Sequence, residues 1–290
     1  MKSAIGPTLS STSVLVAVTF LILLGLESWQ PLRKPVSSKW VRIARNFTTG
    51  GISLALLNLL QAPVLVPFAL WAETHRIGLL NLVPLPPAIR IGMAVIFLDY
   101  TLWVWHRLNH VIPFLWRFHL IHHVDRDMDA STAFRFHFGE QTLSIGYRLV
   151  QVGVIGADPT SIWLWHALVV VAIVFHHSNT RLPLWLERLL VKVVVTPRMH
   201  GIHHSNYRNE ANGNWSSLLS AWDYLHGTML LNVPQECVEI GVPAYRKEQD
   251  VTLPKILVMP FLAQREDWLG DEGPRLERLE DPATRTLLAP

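Results

Sequence analysis

The sequence is poor in charged residues and in cysteine, and each shortage excludes classes of protein. Only 16% of the 290 residues are charged, whereas an ordinary soluble domain has about 25%. This excludes a disordered chain, a typical soluble enzyme and a nucleic-acid-binding tail, so we expect no nucleic-acid partner. The single cysteine, Cys237, excludes an intrachain disulfide framework and a zinc site built from cysteines.

The chain is instead rich in apolar residues, which are arranged in long runs. Half of the residues are hydrophobic and the mean hydropathy is +0.27. Because about 20 apolar residues in a helix can cross a bilayer, the runs predict an all-α, multi-pass transmembrane bundle of about four or five membrane helices. The fourth run contains Arg148 and is short, so it could be half of a hairpin that does not cross fully. The five runs cover residues 14–26, 51–72, 88–105, 143–157 and 161–175.

Histidine is concentrated in three clusters with helical spacing. Residues three and four positions apart share a helix face, so each cluster can direct its imidazoles to one spot. Imidazole suits Zn, Cu, Fe and Ni. The eight histidines exceed the four ligands of a tetrahedral zinc and could hold two metals with open positions. The clusters are His106 with His110, then His119 with His122 and His123, then His200 with His203 and His204.

The distribution of lysine and arginine predicts which side of the membrane holds these clusters. Residues 31–49 contain Arg33, Lys34, Lys39, Arg42 and Arg45 and no acidic residue, which predicts a cytoplasmic loop. Following the runs from there places every histidine cluster on the cytoplasmic face. The membrane would be the inner membrane of a bacterium or the endoplasmic reticulum of a eukaryote. Metals at that surface would be within reach of a molecule dissolved in the bilayer.

Two other kinds of function fit a membrane protein with many histidines. A zinc-dependent membrane hydrolase would need a general base beside the metal, as in HExxH. The positions between the clustered histidines hold no such residue; the first cluster reads HRLNH. A metal carrier would place its ligands near the middle of the bilayer, and a heme-binding electron carrier would pair single histidines. Here the clusters lie at predicted helix ends.

The motifs resemble those of the fatty acid hydroxylase/sterol desaturase superfamily, the membrane histidine-box di-iron oxygenases. The order HxxxH, HxxHH, HxxHH, with His-Ser-Asn before the last box, is specific to that superfamily. The matching stretches include LDYTLWVWHRLNHVIPFLWRFHLIHHVD at 98–125, STAFRFHFGE at 131–140, FHHSNTRLP at 175–183, TPRMHGIHHS at 196–205 and NGNWSSLLSAWDYLHGT at 212–228. The resemblance implies an all-helical metal-binding cap on the membrane helices. It also implies three regions, namely N-terminal transmembrane helices with a basic loop at 1–87, a hydroxylase-like core at 88–232 and a polar tail at 233–290.

The resemblance also implies a chemistry and a ligand set. Two iron ions, with O2 and electrons, would hydroxylate or desaturate a C–H bond of a lipid or sterol-like substrate. The electrons would come from a separate cytochrome b5-type or ferredoxin-type donor with its reductase, because the chain has no cytochrome b5-like heme domain. His176 and His226 are expected outside the ligand set. The implied ligands are His106, His110, His119, His122, His123, His177, His200, His203 and His204.

Several polar residues are candidates to hold these histidines in place. An acid inside an apolar run, such as Asp99, is costly and therefore indicates a functional partner, either an imidazole or Arg107. His137 could act in the same supporting way or be a weak ligand. A surface or capping role is the alternative for the others. The expected supporting residues are Asp99, Asp125, His137, Asn179 and Asp223, with Glu140 and Asn214 as further candidates.

Overall fold

The regular structure of the chain is helical. The computed structural model describes residues 9–265 and residue 268, and this part of the chain contains no β-strand, which confirms the all-α prediction. Short 3-10 turns connect some of the helices, among them Ala130–Phe134 and Met259–Phe261. The α-helices are α1 Leu9–Trp29, α2 Lys39–Leu60, α3 Ala62–Thr74, α4 Pro87–Val111, α5 Pro113–His123, α6 Phe138–Ile155, α7 Pro159–His177, α8 Leu184–Leu190, α9 Pro197–His203, α10 Arg208–Ala211, α11 Ala221–His226 and α12 Leu253–Val258.

Proline, glycine and capping side chains set the helix boundaries near the histidines. Pro113 is the first residue of α5, and α4 ends directly before it at an extended Ile112, as expected for the residue before proline. The carboxylate of Asp158 accepts hydrogen bonds from the first turn of α7. The hydroxyl of Thr196 accepts the amide of Met199 at the start of α9. Local sequence therefore fixes where each histidine-bearing helix begins or ends.

Three helices are long and apolar enough to cross a membrane. Within the described residues these are α1, α4 and α7, and a fourth span results if α2 and α3 are taken as one bent segment. The bend between α2 and α3 is 46° and lies next to Pro63, which is one of the two prolines in that run. Helix α6 contains the fourth predicted run but is not among the candidate spans. The membrane-bundle prediction is confirmed, with three to four candidate spans.

The helices pack so that one end of the bundle carries the histidines. Helix α4 lies against α5, α6 and α7, while α1 packs on α7 and α2 packs on α6. The C-terminal ends of α4, α5, α7 and α9 therefore converge at that end. Large apolar side chains on α1, such as Leu21 and Ile22, are exposed, as expected for a surface that faces lipid.

The basic segment 31–49 differs from its prediction as a loop. Helix α2 already begins at Lys39, and the side chains of Arg42 and Arg45 are buried. The reason is a tertiary ion pair, because Arg42 contacts Asp125 at 2.9 Å and Asp129 at 2.7 Å. Within the predicted polar tail at 233–290, residues 233–250 form irregular structure with short 3-10 turns. Residues 266, 267 and 269–290 of this tail lie outside the described residues.

Candidate metal centre

Nine histidines converge at the end of the bundle in two adjoining groups. In each group, one ring nitrogen per histidine lies within 4.8 Å of one such nitrogen of every other member. The groups adjoin, because the rings of His123 and His204 stack with centroids 4.4 Å apart. Group A consists of His106, His110, His119, His123 and His203, and group B of His122, His177, His200 and His204. These are the nine histidines that the motifs indicated.

The HxxHH motifs each divide their histidines between the two groups. On α5, His119 and His123 belong to group A and His122 to group B. The motif on α9 reverses this assignment, with His200 and His204 in group B and His203 in group A. Residues four apart share a face, whereas the middle histidine of each motif, His122 or His203, points to the other group. The expectation that all the imidazoles of one cluster meet at one spot is therefore wrong for these two motifs. Helices α5 and α9 therefore each contribute to both groups.

Two ring nitrogens in group B face each other with no hydrogen between them, which indicates a site for a cation. His122 places Nδ1 at 3.3 Å from the carbonyl of Arg135, and His177 places Nδ1 at 2.8 Å from the carbonyl of Ile173. A carbonyl only accepts, so each Nδ1 carries the hydrogen and each Nε2 of a neutral ring is an acceptor. Yet the two Nε2 atoms are 3.0 Å apart. Two facing lone pairs fit a shared metal ion.

Burial keeps the imidazoles outside the membrane spans neutral, as metal ligands must be. Burial, opposed in part by hydrogen bonds to carbonyls, lowers the pKa of His203 to about 3. Burial and neighbouring histidines also hold the pKa values of His122, His123, His200 and His204 well below the usual range. The Nε2 atom of His203 is buried and has no hydrogen-bond partner, which leaves it free to bind a metal.

Residues 213–215, in the loop after α10, orient two ligands of group A. His106 donates from Nδ1 to the carbonyl of Trp215, and His203 donates from Nδ1 to the carbonyl of Gly213, each at 2.7 Å. The residue between them, Asn214, has a left-handed backbone with φ of 54°. Its side-chain amide donates to the carbonyls of Met199 and Leu230. Such outer contacts fix the tautomer and the ring direction of a ligand.

Asp223 acts on this loop and not directly on a histidine. Its carboxylate accepts the backbone N–H groups of Trp215 and Ser216, at 3.0 and 2.8 Å, and the indole N–H of Trp103 at 3.0 Å. Asp223 therefore braces the loop that supplies the carbonyl for His106. The sequence indicated that Asp223 was a supporting residue, but the main-chain loop between it and the histidines was not predictable from the motif.

Glu140 is the one carboxylate in hydrogen-bond contact with a histidine of either group in the described chain. Its Oε1 atom is 3.1 Å from Nδ1 of His119. Both side chains are almost fully buried. Helix α6 begins at Phe138, so Glu140 lies in its first turn, and there the helix dipole favours a negative charge. The negative charge of Glu140 strengthens the binding of a metal ion by the other ring nitrogen of His119.

The structure places the remaining supporting candidates away from the histidine rings. Asp99 accepts from the amide of Leu219 and the indole of Trp222, and not from Arg107. Asn179 exchanges two hydrogen bonds with the backbone of Arg33. His137 caps α6, with Nδ1 accepting from the amide of Gly139, while its Nε2 faces the carbonyl of Leu257 at 3.1 Å.

Asp125 follows the second histidine motif but pairs with an arginine that the motif does not contain. Arg42 makes two bonds of 2.9 Å to its carboxylate. Burial alone would raise the pKa of Asp125, but the charges of Arg42, Arg135 and Arg45 hold it well below its usual range. Asp125 therefore fixes the end of α5 against α2. Sequence reasoning missed Arg42 because it lies 83 residues away along the chain.

Two further histidines lie near the groups without belonging to them. The ring of His176 is 4.1 Å from that of His200, yet His176 is in neither group. The ring of His226 stacks on Trp103 at 4.1 Å and is exposed. That neither histidine binds a metal ion stays a prediction.

The helical membrane bundle and its two buried histidine groups define a membrane protein with a candidate metal site built from histidines. Comparison with known proteins relates this part of the chain to a family. The family model described as "Fatty acid hydroxylase" matches residues 91–228, the region that carries all nine histidines. The match confirms the resemblance to this family that the motifs of the region indicated. No solved structure matches the chain significantly.

Curated relatives of the chain are lipid and sterol hydroxylases. It is 30% identical to the ornithine lipid hydroxylase OlsE of Rhizobium tropici, over 54% of this chain and 46% of that protein. It is 26% identical to cholesterol 25-hydroxylase of Mus musculus, over 61% and 55%. It is 24% identical to alkylglycerol monooxygenase of Homo sapiens, over 47% and 29%. The matches thus span about half or less of each relative's length.

Proposed function

We propose that this protein is a membrane-bound di-iron oxygenase that hydroxylates or desaturates a C–H bond of a lipid or sterol-like substrate. The observation that carries the proposal is the pair of buried groups A and B, each built from histidines. Imidazole suits iron as well as zinc and copper. Iron is favoured because the relatives are named as hydroxylases and monooxygenases, which catalyse oxidations that a zinc hydrolase does not.

In this proposal group A and group B each hold one iron ion through the Nε2 or Nδ1 atoms that face inward. Bound iron would supply the activation of O2 and the removal of hydrogen from the substrate carbon. The chain's own residues hold the rings, fix their tautomers through carbonyls and Glu140, and exclude water from the centre. The electrons come from a separate cytochrome b5-type or ferredoxin-type donor and its reductase.

We propose that the substrate approaches from the side of His110. His110 is the one half-buried member of the nine, and the other eight are buried. The exposed apolar residues Val111, Ile112 and Phe114 follow it in the sequence, where α4 ends and α5 begins. An apolar surface at the end of a membrane helix suits the entry of a lipid chain. The cytoplasmic side is proposed for this end of the bundle from the basic segment 31–49.

The test is oxidation of lipids by the iron-loaded protein in the presence of isotopically labelled O2, a ferredoxin and its reductase. We expect labelled oxygen in an alcohol product, or a new double bond that forms only with O2, detected by mass spectrometry. His203→Ala is expected to abolish the product. His75→Ala is the matched control, because His75 is exposed and contacts Trp71 on α3. Turnover by a zinc-loaded sample without O2 would contradict the proposal and favour a hydrolase.

A further inference from the structure

An arginine lies on the inward side of α6 without a counter-ion. Arg148 is half-buried, and no described residue forms an ion pair with it or accepts a hydrogen bond from it. The nearest acids along α6 and α7 are committed elsewhere, with Glu140 on His119 and Asp158 capping α7. A guanidinium carries five N–H donors and is always charged. An ionisable group in an apolar helical bundle is by default a functional one.

A second donor without an acceptor lies beside it. The guanidinium carbon of Arg148 is 5.8 Å from the ring centre of Trp165 on α7. Trp165 is only 3% exposed, and its buried indole N–H has no hydrogen-bond partner. A buried N–H without an acceptor costs about 1–3 kcal/mol. The indole N–H is enclosed, so an anion at this place would be bound by the guanidinium, which lies over the indole ring.

We propose that Arg148 and Trp165 form a binding site for the acidic group, a phosphate or a carboxylate, of a membrane lipid. The planar fork of arginine matches both groups with two parallel hydrogen bonds. Because Arg148 is half-buried, part of its side chain lies at the surface of the bundle, where a lipid can approach. The aromatic ring beneath the guanidinium also stabilises the cation when no anion is bound.

The position of this site relative to the histidines gives the class of substrate. Arg148 follows Glu140 by eight residues, so it lies about 12 Å further along α6, and Glu140 contacts His119 of group A. A lipid held by its acidic group at Arg148 would therefore present a carbon of its apolar chain to the metal centre. This inference rests on the proposed function and specifies an acidic lipid oxidised in its chain, away from the acidic group.

The experiment measures lipid binding to the purified, metal-containing protein in detergent by native mass spectrometry. The acidic probes are phosphatidic acid and palmitic acid, and the neutral ones are diacylglycerol and cetyl alcohol. We expect the wild type to prefer the acidic probes. Arg148→Gln should weaken their binding about tenfold and leave the neutral probes unchanged. Arg148→Lys should keep part of the preference, because it retains the charge but not the fork.

Arg90→Gln is the matched control, because Arg90 lies on α4 and already has a carboxylate partner, Glu73. It should bind all four probes as the wild type does. Equal binding of the acidic probes by Arg148→Gln and the wild type would overturn the proposal. Binding of inorganic phosphate as tight as that of phosphatidic acid would overturn its lipid part. Metal content is measured on the same samples, so a failure of the metal centre is recognised separately.

Discussion

The direction of each ligand imidazole depends on the contact made by its other nitrogen. In group A, two histidines donate to main-chain carbonyls, whereas His119 meets the carboxylate of Glu140. A carbonyl fixes the tautomer without adding charge. Glu140 adds a negative charge next to group A, which offsets part of the positive charge of a metal held by neutral ligands alone. Loss of the Glu140 contact should therefore lower the affinity for metal more than loss of either carbonyl contact.

Glu140→Ala should weaken metal binding about 10–100-fold, because it removes the partner that orients His119. Glu140→Gln should have a smaller effect, since its side-chain oxygen still accepts the Nδ1 hydrogen. The measurement is the rate at which a chelator removes metal from the purified variants. Equal rates for Glu140→Ala and the wild type would show that Glu140 does not support the ligand.

Asp125→Asn should lower the free energy of unfolding by about 3 kcal/mol, because it leaves Arg42 buried with one of its two carboxylate partners. The measurement is denaturant-induced unfolding in detergent. A single variant as stable as the wild type would mean that this ion pair does not hold α2 against the end of α5.

At the scale of elements, the histidine helices were predictable and their division into groups was not. The spacing of His119, His122 and His123 fixes their relative directions on α5, because it depends only on the helical repeat. Which direction faces which group depends on where α4, α7 and α9 pack. Similarly, the chemistry of Asp223 indicated a supporting role, but its action through the backbone of Trp215 depends on a loop conformation. Long-range partners such as Arg42 leave no local pattern.

Asn214→Ala should cause selective loss of metal from group A. The variant removes the three side-chain hydrogen bonds that hold the loop and disfavours its left-handed backbone. The carbonyls that orient His106 and His203 then lose their fixed positions, while group B keeps its own partners. We expect metal content to fall from about two ions per chain to about one. Retention of both, or equal loss from both groups, would contradict this role of the loop.

At the scale of the whole molecule, the bundle separates a lipid-facing part from an end that carries the chemistry. The apolar runs were sufficient to predict this organisation. The number of spans could not be predicted from composition alone. Helix α6 packs against α2, α3 and α4 and is not among the candidate membrane spans, although its apolar run resembles one. The buried arginines of α2 also show that a basic segment can serve tertiary pairing as well as membrane orientation.

The single cysteine provides a direct test of the proposed orientation. Cys237 is free and exposed, and the turn that contains it packs against α9, at the histidine end. A membrane-impermeant maleimide should therefore label it only after cells are permeabilised. The control is Cys237→Ser combined with Leu82→Cys, because Leu82 is exposed in the loop before α4, at the opposite end. The control should be labelled in intact cells, and the reverse pattern would invert the topology.

The measurement that tests the central claim most directly is the metal content of the protein purified in detergent after expression with iron. The account predicts about two irons per chain, one for each histidine group. It also predicts that His119→Ala and His203→Ala, which each remove a ligand of group A, lose the iron of that group while both variants still insert into the membrane. Tightly held zinc that iron does not replace, or the same iron content in both variants as in the wild type, would contradict it.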